Sequence, residues 1–139
     1  PKDLPWNQKA AYLLAAELIK SKFLHKEIRE KGGAYGAGAA YDHMDGLFSF
    51  WSFRDPSPGR SINTFKGSFD WLKQNPFSQT DLDEAKLSIF SSCDAPVDLA
   101  EEGLNVFKIE YSDVDRQSLR TAIFDCTCDD IKEHQFNSD

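Results

Sequence analysis

Two adjacent glycines, Gly32 and Gly33, separate a long run of helix formers from a run in which tyrosine brackets small residues. Glycine reaches backbone angles closed to other residues, so the pair ends the helix and turns the chain sharply. Upstream, Ala11, Leu14, Leu18, Ile19 and Phe23 recur at helical spacing on one face. Lys9, Glu17, Lys20, Lys22 and Lys26 take the other face. Asp3 and Asn7 are candidate caps, and Pro5 suits a first turn. Downstream, Tyr35-Gly36-Ala37-Gly38-Ala39-Ala40-Tyr41 reads as a strand whose small residues let another backbone approach closely. Asp45-Gly46 is a hairpin-turn pair, and residues 47–53 form a return strand expected to be buried on both faces or nearly so. An antiparallel hairpin is therefore predicted over about 34–53.

The rest of the chain reads as helices. A Pro-, Ser- and Gly-rich loop at 54–59 leads to a helix over about 61–74, with Ile62, Phe65, Phe69 and Leu72 inward, ended by Asn75-Pro76. A third helix starts near Ser78 or Thr80, where Thr80 and Asp83 resemble a capping box. Leu82, Ala85, Ile89 and Cys93 trace its apolar face, and Asp94-Ala95-Pro96 closes it. Residues 99–136 predict two or three short helices with faces at Leu104/Phe107 and Leu119/Ile123. The fold class is α+β, an antiparallel hairpin packed with several helices. At 139 residues, 40% hydrophobic and 28% charged, the chain is a single globular domain by size and composition.

A formal net charge of −7 disfavours nucleic acid, because phosphate binding needs a basic surface. An acidic surface would suit a basic peptide, although net charge speaks first to solubility. No run approaches the roughly 18 apolar residues of a membrane helix, so no membrane partner is expected. Three cysteines without a secretory leader point to a reducing compartment; Cys126-Thr127-Cys128 lacks zinc-knuckle spacing, and these read as ordinary thiols. Pro1-Lys2-Asp3 is no targeting peptide, and a start without Met reads as cut from something longer. Gly36-Ala37-Gly38 begins like a dinucleotide fingerprint but fails at the third glycine, and Lys66-Gly67-Ser68 is no phosphate loop. Cys93 reads as a buried, inert thiol, and nothing nominates a catalytic triad.

The chemistry-bearing residues flank the glycines. Arg29 falls on the closing turn of the helix and Tyr35, six residues on, at the mouth of the strand. A guanidinium and a phenol on either side of a tight turn can converge on one carbonyl or carboxylate, as a peptide-backbone or oxyanion clamp. On spacing alone a plainer reading is favoured: Arg29 counters the helix dipole and Tyr35 packs the hairpin.

Glu27-Ile28-Arg29-Glu30-Lys31-Gly32-Gly33-Ala34-Tyr35-Gly36 resembles the corresponding motif of the presequence protease family, pitrilysin-type (inverted-zincin) metallopeptidases. The likeness continues through Phe53-Arg54-Asp55-Pro56, Asp83-Glu84-Ala85-Lys86-Leu87-Ser88-Ile89-Phe90 and Asp94-Ala95-Pro96-Val97, covering roughly residues 8–97. The resemblance implies most of the last of four α+β domains that pair into two halves around a closed chamber. It implies that the strand before Pro1 and a closing strand after the tail are missing, which leaves exposed sheet edges. It assigns Arg29 and Tyr35 to the catalytic machinery as substrate clamp and oxyanion stabiliser, with Gly32, Gly33, Ala34 and Gly36 as substrate-binding backbone. It further implies an ATP-independent zinc metalloendopeptidase of the mitochondrial matrix. The partners would be short unstructured peptides such as presequences, together with the N-terminal half of the same protein.

Zinc in such an enzyme is held by a His-x-x-Glu-His helix. Here the nearest segment is Asp130-Ile131-Lys132-Glu133-His134, with Asp in place of the first His, and His25 has no partner His. The zinc ligands are therefore expected outside this chain, and the fragment alone is expected to bind no catalytic metal and to be inactive. The alternative is a non-catalytic structural or peptide-binding subunit acting with a separate catalytic chain.

Overall fold

A computed structural model describes residues 4–42, 45–74, 77–94 and 113–133. Its axis is one long helix in two parts. The first, α1 (Trp6–Ile19), begins where Pro5 accepts from the amides of Gln8 and Lys9 at 3.1 and 3.0 Å. The second is a wider, π-helical segment, Lys20–Glu30. Ser21 marks the junction: its Oγ donates to the Glu17 carbonyl at 2.8 Å, a side-chain bond that competes with the regular ladder.

After the glycine turn come β1 (Gly36–Asp42) and β2 (Leu47–Phe53), an antiparallel pair with Gly36 opposite Phe53, Gly38 opposite Trp51 and Asp42 opposite Leu47. The turn between them closes where Gly46, at φ 69°, donates its amide to the Asp42 carbonyl at 2.8 Å. Helices α2 (Pro58–Lys66), α3 (Ser68–Gln74), α4 (Gln79–Asp94), α5 (Asp113–Asp125) and α6 (Cys128–Glu133) complete the described chain.

The core forms around α1, which packs against α5, α4, β1, α3 and α6. Surrounded in this way, α1 buries all of residues 9–16 together with Leu18 and Ile19. Lys9, expected on a solvated face, is thus buried, with its ammonium 4.7 Å from the Trp6 ring centre. Burial on all sides replaces the predicted amphipathic stripe. Leu82, Ala85, Ile89, Leu119 and Ile123 complete the core as predicted.

The hairpin meets this core on one face only. Tyr41 stacks on Tyr12 at 4.8 Å, Phe50 on Phe65 at 5.2 Å, and Phe48 meets Phe69 edge to face at 4.9 Å. The alternate residues Leu47, Ser49, Trp51 and Phe53 are exposed. β2 is therefore not buried on both faces; its apolar run is an inner stripe and an outer stripe, and among the described residues only the inner one has a covering layer.

Two helix expectations also change. The single helix over 61–74 is two helices broken at Gly67, and Pro58 starts the first one earlier, at the position where its fixed φ helps a helix begin. Ile62, expected inward, is exposed, while Ser61 and Leu72 are buried. The capping box of α4 is Ser78 with Asp81, not Thr80 with Asp83: the Asp81 amide donates to Ser78 Oγ at 3.1 Å and the Ser78 amide to Asp81 at 3.0 Å. Asp83 instead accepts from the Gln79 side chain at 2.9 Å. Leu104, Phe107, His43, His134 and the Cys93 side chain lie outside the described residues.

Candidate functional site

The site is built by the end of the long helix. Lys31 donates its amide to the Lys26 carbonyl at 3.0 Å, the i-to-i−5 bond of a π turn. Gly33 then donates to the Arg29 carbonyl and Ala34 to the Ile28 carbonyl, both at 3.1 Å. This nested pair is the closure that a left-handed glycine permits, and Gly33 sits at φ 78°. Gly32 is needed for a different reason: a Cβ there would lie 2.6 Å from the Ile28 carbonyl oxygen. Tyr35 leaves the turn by donating its amide to the Phe53 carbonyl at 3.0 Å, which docks the turn onto the sheet.

This path brings Arg29 and Tyr35 to one open cleft of about 670 Å³, lined also by His25, Glu30, Gly33, Ala34 and Arg54. Tyr35 is 67% exposed and meets the Phe53 ring edge to face at 5.9 Å, so it packs the hairpin from the outside while still facing the cleft. Arg29 is exposed and makes no salt bridge among the described residues. Of the remaining expected site residues, Ala34 is buried with its amide already bonded, while Gly32 and Gly36 adjoin the cleft without lining it. His25, expected as a helix-surface residue without a partner, is exposed as expected. It nevertheless lines the cleft, with Nε2 3.5 Å from Glu30 Oε1.

Arg54 is the residue that sequence reasoning left in a loop. It follows β2 directly, beyond the Gly36–Phe53 pair, and its guanidinium lies 5.8 Å from the Tyr35 ring centre and 5.4 Å from that of Phe53. Its backbone is at φ 49°, among the described residues the only positive φ outside glycine. The neighbouring Asp55 holds this corner: it accepts from Ser52 Oγ at 2.9 Å, from the Ser57 amide at 2.8 Å and from Ser61 Oγ. Those bonds, Ser61 first, hold the Asp55 carboxyl below the usual carboxylate range. An arginine next to a strand end that pairs with the tyrosine strand was the available signal.

Among the described residues no three His, Cys, Asp or Glu side chains converge as a metal site. Asp130, which stood in place of a zinc ligand in the sequence, caps α6: the Thr127 amide donates to it at 2.9 Å and its own amide donates to Thr127 Oγ1 at 3.2 Å. The residues described here do not fit a catalytic zinc. Cys126 is buried, and burial first, then the Asp130 charge, pushes its thiol up to about 11, so it is protonated and unreactive at neutral pH.

On this α+β frame, with its arginine and tyrosine across a double glycine, the chain belongs to the PreP C-terminal domain family, whose model matches residues 7–138. It is similar to the mitochondrial presequence protease of Xenopus laevis, at 45% identity over 122 residues, 88% of this chain and 12% of that protein. The protein of the same name from Eremothecium gossypii is 46% identical over 118 residues, covering 84% and 12%. That from Saccharomyces cerevisiae is 41% identical over 131 residues, covering 92% and 13%. The chain thus spans about an eighth of the length of these curated relatives.

Proposed function

We propose that this chain is most of the C-terminal domain of a zinc metalloendopeptidase that degrades short unstructured peptides, presequences among them, in mitochondria. Its part is to close one wall of the reaction chamber and to clamp the substrate backbone. The observation that carries this reading is the placement of Arg29 and Tyr35 on one open cleft by the double-glycine turn. That the relatives are mitochondrial presequence proteases supports the activity and the compartment.

Zinc, held by the N-terminal half of the longer polypeptide, would supply a polarised water and carbonyl when bound. Arg29 donates N–H groups to the peptide carbonyl oxygen, and Tyr35 donates its phenolic O–H to the same region as negative charge develops there. Gly32 and Gly33 allow the helix to end close enough for the two side chains to share one cleft. Their role is to shape the clamp, and Gly33 and Ala34 supply its floor.

The test uses the full natural polypeptide. Tyr35→Phe and Arg29→Ala should each lower kcat by roughly a hundredfold or more, with smaller changes in KM. Unchanged kcat in both variants refutes the clamp. The alternative reading, a non-catalytic subunit, predicts that the polypeptide carries no His-x-x-Glu-His segment upstream.

A further inference from the structure

We infer that Arg54, beside the Arg29 clamp, seats a carboxylate of the bound peptide and is a specificity determinant; this rests on the peptide-clamp reading above. The charge balance of the cleft comes first. Two guanidinium groups line it, and Glu30, the carboxylate among the lining residues, faces His25 instead. Neither arginine makes a salt bridge among the described residues, in a chain with 23 acidic residues against 16 lysines and arginines. With acid in excess, two unpaired arginines in one cleft leave positive potential for an anionic ligand.

The seating of Arg54 supports the same conclusion. Its guanidinium lies 5.8 and 5.4 Å from the ring centres of Tyr35 and Phe53, a cation–π placement that leaves N–H donors available to a bidentate carboxylate. Its positive φ is costly for a residue with a Cβ, and the Asp55 bonds to Ser52, Ser57 and Ser61 hold it there. Backbone strain retained at a cleft marks a position where orientation matters. Trp51 and Phe53 continue from the cleft as exposed aromatic surface, which suits the apolar side chains of a peptide and not a free phosphate or other small anion.

The experiment measures kcat/KM of the full natural polypeptide on a matched peptide set: free C-terminus, amidated C-terminus, and internal Glu→Gln. The unsubstituted enzyme should prefer the carboxylate-bearing member by roughly ten- to a hundredfold, expressed in KM. Loss of rate on amidation locates the seat at the peptide terminus, and loss on Glu→Gln locates it at an acidic side chain; either supports the seat. In Arg54→Gln the preference ratio should fall to near one, and Arg54→Lys should keep part of it as a point charge. An unsubstituted enzyme without preference overturns the inference whether or not the variants fold. So does a ratio that survives Arg54→Gln. A null result here with a large Tyr35→Phe effect would leave the clamp standing, whereas loss of the clamp shows in kcat.

Discussion

The two halves of the long helix are covalently continuous and physically opposite. The α1 half is surrounded by α3, α4, α5, α6 and β1 and buries ten of its residues. The π-helical half buries Leu24 and Ile28 and exposes most of the rest. It widens, ends on two glycines, and delivers Arg29 to open cleft. One half excludes water and the other faces it. Wide turns of this kind concentrate where function competes with regular helix.

The sharpest break in that comparison comes from the buried half. Leu14 is fully buried, and Leu14→Ala should cost about 2–5 kcal/mol in denaturant unfolding, with no direct effect on the cleft. The turn should behave differently. Gly33→Ala places a Cβ at φ 78° and should cost about 1–2 kcal/mol, while also moving Arg29 relative to Tyr35. In the full polypeptide it should therefore lower kcat beyond what its unfolding midpoint explains. If activity falls only in step with stability, the turn is a spacer and not part of the clamp.

How legible this contrast was depends on what each half answers to. The hairpin was readable because the Asp45-Gly46 pair and the small-residue run between Tyr35 and Tyr41 are local signals. The double glycine was readable for the same reason, and φ 78° at Gly33 is its cause. The two-sided burial of β2 was misread: Leu47, Trp51 and Phe53 on the exposed side are as apolar as Phe48 and Phe50 on the inner one, and one serine falls on each side, so the pattern marks neither face as polar. Lys9 was misplaced because a residue's charge does not report how many elements surround its helix. Arg54 was hidden because its approach to the Tyr35 ring crosses from one strand to the other, which no local window contains.

Capping gives a smaller and cleaner test of local reading. Ser78→Ala removes the acceptor for the Asp81 amide and should destabilise by about 1 kcal/mol. Thr80→Ala should fall within about 0.5 kcal/mol, because Thr80 is exposed and lies inside α4. A larger loss at Thr80 than at Ser78 would put the helix start two residues later.

The smallest effect expected is a pH response, and it comes from two carboxylates that flank the long helix. Asp55 beside the cleft has its carboxyl held low by Ser61, Ser57 and Ser52; Asp81 is held low by the Ser78 amide and by Lys22, whose ammonium lies 3.2 Å away. A carboxyl lower in the folded than in the unfolded state adds stability fully above the unfolded value, near about 4. That stability disappears as pH falls through the folded value. Asp55→Asn should therefore lower the urea midpoint at pH 7, and the gap to the unsubstituted protein should close in more acid solution. Lys22 has the opposite sign: its value is raised, chiefly by the hydrogen bond to Asp81, so its contribution is complete below the ordinary lysine range and is lost in alkali. A gap for Asp55→Asn that is constant from pH 7 to pH 2 would mean that the corner of Arg54 is held by shape and not by the carboxylate.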